Sequence, residues 1–306
     1  MNKLFTHTDL DGVGCAIIAK LVYGDEIDIS YCSYNDIDKK VGLCNPDKYN
    51  HVDITDISIK ESLAELIDKD HPTQVSLFDH HATAKYLDKY SWVTIEEKDE
   101  CTGLLTCGTE IYFKHIGNYI EGIQRAALES FVRNVTNYDT WKWKDLGEEG
   151  VISKKINDLL YIYGKEKFVN WAIDRLKTGS FPNFTKADEA ILEARQNEIE
   201  QYIEKKDLQS YEYTDFDGRK FGVVFAENYL SELGNALCER HPEWNYVAII
   251  DMGNKSVSYR TVRDDIDLGK DIASLCNGGG HAKAAGSRFD NLVIVGTIDA
   301  VFGGLL

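Results

Sequence analysis

The sequence predicts an α/β protein: an N-terminal wound parallel sheet followed by a smaller mixed α/β domain. Two observations carry this prediction. Through the first hundred residues, short β-like runs alternate with amphipathic helical patterns, as parallel βαβ units require. A long charged helix then precedes a second set of β-like runs, and such a helix often bridges two domains.

The first strand is "KLFT", Lys3 to Thr6. Next, "DGVGCAIIAKLVYG" sets Val13, Ile17, Lys20 and Leu21 at helical spacing and ends at Gly24, a glycine stop. "IDISYC" (Ile27 to Cys32), "HVDIT" (His51 to Thr55) and "QVSLF" (Gln74 to Phe78) supply further strands. Between the last two, "SIKESLAELIDKD" predicts an amphipathic helix in which Ser58 and Glu61 form a capping box.

Residues 101–173 are mostly helical in pattern. Phe184 to Leu208 is a long charged helix with Ile191, Ile199 and Ile203 on spaced turns and Pro182 just ahead. "RKFGVVFA", "YVAIIDMG" and "KSVSYRTV" return to strand patterning, then comes a helical "GKDIASLCN". In the glycine run "GGGHAKAAG", the segment "AKAAG" reads as the start of a helix. The expected boundaries are residues 1–182 for a catalytic domain, 183–209 for a linking helix and 210–306 for a substrate-binding domain.

Charge limits the partners. With 34 Lys plus Arg against 51 Asp plus Glu, the net charge of −17 repels long polyanions over most of the surface. Seven cysteines without a C-x-x-C pair argue for reduced thiols, not a zinc or disulfide framework. No apolar run approaches the roughly 20 residues of a membrane span, and the first residues lack a signal core. The expectation is a soluble, cytoplasmic protein with no membrane partner; homodimerisation is left open.

Three of the strands end in the same chemistry. "LFTHTDLDG" delivers His7, Asp9 and Asp11, "DITDIS" delivers Asp56, and "LFDHH" delivers Asp79, His80 and His81. Any one cluster alone is a polar turn. Three at strand ends can meet in one cleft, because ligands of open α/β sheets collect at the carboxyl ends of the strands. Crowded carboxylates raise one another's pKa unless a counter-charge is present. A divalent metal supplies it: this donor set without thiolate suits Mn²⁺, with Mg²⁺ or another divalent ion an alternative, and its size suits two ions. Paired ions stabilise entering and leaving oxygens in phosphoryl displacement, so the expected reaction is hydrolysis of a phosphoester or phosphoanhydride. Asp53, inside its strand, is expected to be structural.

"THTDLDGVG", "DITDIS", "FDHH" and "NYDTW" resemble the four motifs of the DHH phosphoesterase superfamily, and "GGGHAKAAG" resembles the signature of its associated C-terminal domain. The resemblance spans nearly the whole chain and points to the oligoribonuclease, or nanoRNase, branch. It implies that His7 and Asp9 bind one metal and Asp11 the other, and that Asp56 bridges them. His80 would be a ligand of the second ion and Asp139 would complete it. His81 would face the substrate phosphate, with Asp79 orienting the histidine pair. One residue separates His7 from Asp9, a spacing closer to RecJ-type exonucleases than to the pyrophosphatases of the superfamily.

The glycines Gly278, Gly279 and Gly280 allow close backbone approach and can present N–H groups to an anion. From Lys255 to Arg288 there are six basic and four acidic residues, a local excess of two, which suits a small anionic ligand. The resemblance implies that Arg260 and His281 hold the phosphate or terminal nucleotide, framed by the three glycines, Ala285 and Gly286. Arg263 and Lys283 are weaker candidates, and Trp141 or Trp143 could stack a base. The expected activity is exonucleolytic release of mononucleotides from short oligonucleotides through a hydroxide bridging two metals. The alternatives are a RecJ-like single-strand exonuclease, a cyclic mononucleotide phosphodiesterase and a non-catalytic nucleotide sensor.

Overall fold

A parallel sheet covered by helices buries its inner strands on both faces, and the N-terminal sheet is built in this way although polar residues stand among the apolar ones in its strands. β1 (Asn2–Thr6), β2 (Ile27–Tyr31), β3 (Val52–Thr55), β4 (Val75–Asp79) and β5 (Val93–Ile95) form a parallel sheet in the order β2-β1-β3-β4-β5. All four residues of β3 are buried. The computed structural model describes residues 1–303 and divides into two units, Met1–Leu192 and Glu193–Leu306.

Alternation along the strands splits the core of the first unit. Leu4 and Phe78 pack with α1 (Leu10–Tyr23) and later helices, whereas Phe5, Ile54 and Leu77 pack on the other face with α2 (Ile37–Leu43) and α3 (Glu61–Asp70). Ten successive residues of α1, Leu10 to Ala19, are buried, which explains why this helix has no polar stripe. Its C-terminal cap is Gly24, as the glycine stop predicts. The first core is completed by α4 (Gly108–Ile116), α5 (Arg125–Asp139), α6 (Glu148–Tyr163) and α7 (Lys165–Lys177). The sequence reading did not identify α2 or β5.

One expected cap is wrong. α3 begins at Glu61 with Lys60, not Ser58, as its capping residue. Ile57 and Ile59 are both essentially fully buried, so the chain stays extended through them. The Lys60 N–H donates to Asp38 Oδ1 at 2.8 Å.

α8 (Lys186–Asp207) runs across the boundary between the units. Leu192 belongs to the first core and Ile199 and Ile203 to the second. In the second unit, β6 (Tyr211–Thr214), β7 (Lys220–Phe225), β8 (Tyr246–Asp251), β9 (Ser256–Arg260), β10 (Gly279–Gly280) and β11 (Ala284–Arg288) form a mixed sheet, ordered β10-β11-β9-β8-β7-β6. Only β7 and β8 pair in parallel. α9 (Leu230–Arg240) covers one face, and the helical turns Leu268–Ile272 and Ala273–Cys276 cover the other. α10 (Asn291–Phe302) follows, with no buried residue.

The expected helix after the glycine run is instead β11. Ala284 to Arg288 pairs along the whole of β9 and turns back on β10, and these long-range hydrogen bonds override the weak helical preference of alanine. No helix N-terminus is offered at this loop. Among the described residues, no helix is long and apolar enough to cross a membrane, and all seven cysteines are free.

Candidate metal centre

A sheet ordered 2-1-3-4-5 has its topological switch point between β1 and β3, where loops at the carboxyl ends diverge and leave a crevice. The predicted residues converge there. His7 and Asp9 follow β1, Asp56 follows β3, Asp79 ends β4, and His80 and His81 come next. Asp11 lies in the first turn of α1, and Asp139 is the last residue of α5.

The side chains fall into two groups that meet at Asp56. On one side, His7 Nδ1 is 2.9 Å from Asp9 Oδ2 and 3.8 Å from Asp56 Oδ2. On the other, His80 Nε2 lies 3.4 Å from Asp56 Oδ1, 3.6 Å from Asp11 Oδ2 and 3.6 Å from Asp139 Oδ2. Within the His7–Asp9–Asp56 set, and again within the Asp11–His80–Asp139 set, ligating atoms lie within 4.8 Å of one another.

Backbone and neighbouring groups hold each side chain. Asp9 caps α1, its Oδ1 accepting from the Gly12 N–H at 3.1 Å. The Asp11 carboxylate accepts from the Gly108 and Thr109 N–H groups at 2.6 and 2.7 Å. Those donors form the first turn of α4, where free N–H groups and the helix dipole favour an anion. Asp56 sits in the left-handed region at φ 55°, a conformation uncommon outside glycine that clusters at functional sites. Asp79 Oδ1 accepts from the His80 and His81 backbones at 2.8 and 3.3 Å and meets His81 Nδ1 at 2.6 Å. It therefore fixes the orientation of both histidines.

The electrostatics are those of crowded, buried carboxylates and imidazoles. Burial, reinforced by the charges of Asp11 and Asp9, pushes Asp56 and Asp139 well above the usual carboxylate range. Burial lowers His80. Burial also works against charge on His81, but the Asp79 contact outweighs it and raises the imidazole to about 9; Asp9 raises His7 in the same way. Asp9, despite its own burial, is held down at about 2 by His7 and the Gly12 N–H. Asp56 Oδ2 is buried without a hydrogen-bond partner, an expensive state unless a metal coordinates it. An oxygen-and-imidazole donor set with such an orphaned atom fits divalent metal.

Three residues at the site escaped the sequence reading. Gly108 packs so closely that a Cβ there would lie 2.7 Å from Asp56 Cβ and 3.0 Å from Asp11 Oδ2. Thr109 binds Asp11 twice, its hydroxyl donating to the Asp11 carbonyl at 2.6 Å. A glycine opening a helical pattern in "TCGTE" was the available signal. Tyr34, in the loop after β2, approaches His81 Nε2 with its hydroxyl at 3.4 Å, and nothing in its sequence context marks it. Asp53 lies within β3, accepting from the Tyr112 hydroxyl at 2.7 Å.

The glycine segment forms a hairpin in which Gly279 pairs with Gly286 and Gly280 with Ala285. Gly280 has φ 142°, which glycine alone adopts readily. His281 is exposed, and its N–H donates to the Ala284 carbonyl at 2.8 Å. Ala284 pairs with Arg260. A pocket of about 380 Å³ beside the hairpin includes Ser256, Ser258, Gly278, Gly286 and Arg288 in its lining. Arg260 is not among its lining residues; its Nη2 donates to Ser231 Oγ of α9 at 3.0 Å. Arg263 is engaged by Asp265 and Lys283 by Asp264. Trp143 stacks on Tyr138 with ring centroids 5.9 Å apart.

No family model matches the chain. A curated protein, oligoribonuclease NrnB of Bacillus subtilis, is 37% identical over 298 residues, covering 94% of this chain and 72% of that protein. Among solved structures, a DHH domain described as belonging to a family of ribosomal proteins superposes with a TM-score of 0.66 at 16% identity, covering 100% of this chain and 86% of the other. The exonuclease RecJ bound to manganese gives 0.59 at 14%, with 96% and 87% covered. A pGpG-specific phosphodiesterase, PggH of Vibrio cholerae, gives 0.52 at 13%, with 99% and 98% covered. By identity over most of its length, and by a fold shared with these structures, the chain belongs to the oligoribonuclease NrnB branch of the DHH phosphoesterase superfamily.

Proposed function

We propose that this protein is a metal-dependent phosphodiesterase that degrades very short oligonucleotides exonucleolytically to mononucleotides. The observation that carries the reading is the convergence of four carboxylates and two imidazoles at the β1/β3 switch point. The 37% identity to an oligoribonuclease supports it. In this reading His7, Asp9 and Asp56 would hold one Mn²⁺ and Asp11, Asp56, His80 and Asp139 would hold a second, Mg²⁺ being the alternative. Such ions, when bound, supply Lewis-acid stabilisation of a phosphorane-like transition state and a nucleophile at neutral pH.

The chain's own groups do the rest. Asp79 holds His81 through Nδ1, which leaves Nε2 facing the site as a donor toward a phosphate oxygen or the leaving group. Asp11, clamped by α4, and Asp9, clamped by α1, are immobilised before substrate arrives, so little reorganisation is needed. In the second unit, the Gly278–Gly280 hairpin, His281, Ala285 and Gly286, together with Arg260, bind the nucleotide end; release of Arg260 from Ser231 would free a bidentate donor for phosphate. A net charge of −17 favours short substrates over long strands.

The test is turnover of di- to pentanucleotides, a long single strand and cyclic mononucleotides with added Mn²⁺, for the native chain and Asp56→Ala. Fastest turnover of the shortest linear substrates, abolished with loss of bound metal in Asp56→Ala, is expected. Preference for the long strand would point to a RecJ-like exonuclease, and an Asp56→Ala protein with unchanged metal content would overturn the site assignment.

A further inference from the structure

We infer that Tyr34 is a specificity-determining residue of this site, its ring serving as a platform for the nucleobase beside the scissile phosphate. The inference rests on the phosphodiesterase reading above and adds a residue to it.

The sheet order decides where Tyr34 stands. β2 is the neighbour of β1, so the loop after β2 emerges at the same carboxyl edge as His7 and Asp9. That loop is tied down. The Cys32 N–H donates to the Thr6 carbonyl at 2.7 Å, anchoring its start beside the end of β1. Asp36 Oδ1 then accepts from the Ser33 N–H at 2.7 Å and the Ser33 hydroxyl at 3.1 Å, and Lys40 Nζ bridges Asp36 to the Tyr31 carbonyl at 2.8 and 2.7 Å. The turn that presents Tyr34 is therefore held at both ends.

Within this turn the tyrosine is oriented but not covered. Its ring centroid is 5.1 Å from that of His7, tilted by 48°, and 6.3 Å from that of His81, nearly perpendicular. Its hydroxyl reaches toward His81 Nε2. Two contacts therefore aim the polar end at the metal centre. Even so, 56% of the residue remains exposed, an unusual state for an aromatic side chain so well anchored. A ring carried on a restrained turn and exposed over much of its surface loses little entropy on stacking, and base–aromatic stacking tolerates any sequence because every base has a π-face. It is also uncharged, so it can meet a nucleoside inside a strongly acidic cluster without adding repulsion.

The test compares the native protein with Tyr34→Ala and Tyr34→Phe. KM and kcat are measured for a dinucleotide and for the same dinucleotide with one abasic nucleoside. Binding of a phosphorothioate-linked dinucleotide carrying 2-aminopurine is followed separately by fluorescence. For Tyr34→Ala we expect KM for the dinucleotide to rise roughly 5- to 150-fold, the range of one lost stack, with a far smaller change in kcat. Tyr34→Phe should restore most of the affinity, and the abasic substrate should be nearly indifferent to either change. Stacking should quench 2-aminopurine on the native protein and Tyr34→Phe but not on Tyr34→Ala. An equal loss on the abasic substrate, or a fall confined to kcat that phenylalanine does not rescue, would overturn the platform and assign Tyr34 to holding His81. If the native protein hydrolyses no dinucleotide, the phosphodiesterase reading fails by itself, while equal quenching by the native protein and Tyr34→Ala separately refutes the role of Tyr34.

Discussion

Gly108→Ala is the most searching perturbation of the metal centre, because it alters no proposed ligand. The added Cβ would lie 2.7 Å from Asp56 Cβ, 3.0 Å from Asp11 Oδ2 and 3.1 Å from Asp56 Cα. Carbon atoms pack best at about 3.5–4.0 Å, so Asp56 or the first turn of α4 must shift by about 1 Å. Neither can move freely: Asp56 is held at φ 55° with its N–H on the Phe78 carbonyl at 2.9 Å, and Gly108 N is 2.6 Å from Asp11. Overpacking of this kind costs about 1–3 kcal/mol. The gain in helix propensity from glycine to alanine offsets up to about 1 kcal/mol of it, so the melting temperature should fall by only a few degrees. Function should suffer more, since a misplacement of about 1 Å can cost about 100-fold. Titration calorimetry with Mn²⁺ and dinucleotide turnover are the assays, with a fall of about 10- to 100-fold expected in metal affinity, turnover or both. A Gly108→Ala protein with native metal affinity and native turnover would refute the placement of Asp56 and Asp11 as ligands.

Two further predictions follow from the same geometry. In metal-free protein, Asp56 and Asp139 have folded-state pKa values raised above the unfolded ones, and His81 goes from 6.5 to about 9. In each case the folded state binds more protons, so stability falls as pH rises, with the His81 contribution complete below pH 6.5 and lost by about pH 9. The melting temperature of chelator-treated protein should therefore drop across this window, and the stabilisation on adding Mn²⁺ should grow; a metal-free melting temperature that climbs would contradict the Asp79–His81 contact and the burial of the two carboxylates. For Asp79→Asn, the outcome should be a loss of turnover of about 10- to 100-fold with metal content retained. Loss of bound metal instead would make Asp79 itself a ligand, a role its distance from Asp56, His80 and His81 permits.

How much of this was legible beforehand depended on range. α1, with Gly24 as its stop, and β1, β3 and β4 were readable because apolar periodicity and end signals are local. The capping box at Ser58 failed because burial of Ile57 and Ile59 decided the backbone there. "AKAAG" failed for a related reason: small residues satisfy either a helix or a tight strand, and only pairing with β9 chose between them. Gly108 and Thr109 left only the glycine that opens a helical pattern in "TCGTE", and Tyr34 left no signal, since each acquires its role from residues far away in the chain.

The sequence by itself determined the chemical inventory: which carboxylates and imidazoles exist, that they follow strands, and that a glycine-rich segment lies in the C-terminal half. Those properties are written in residue type and local order. Tertiary structure alone decided that three strand ends meet across one switch point, and that Asp56 falls between two sets of donors. It also decided that the first turn of α4 clamps Asp11 and that Tyr34 leans over His7. The physical reason is that strand order and side-chain convergence are set by long-range packing, whose energy depends on what the folded chain brings together and not on what is adjacent in sequence.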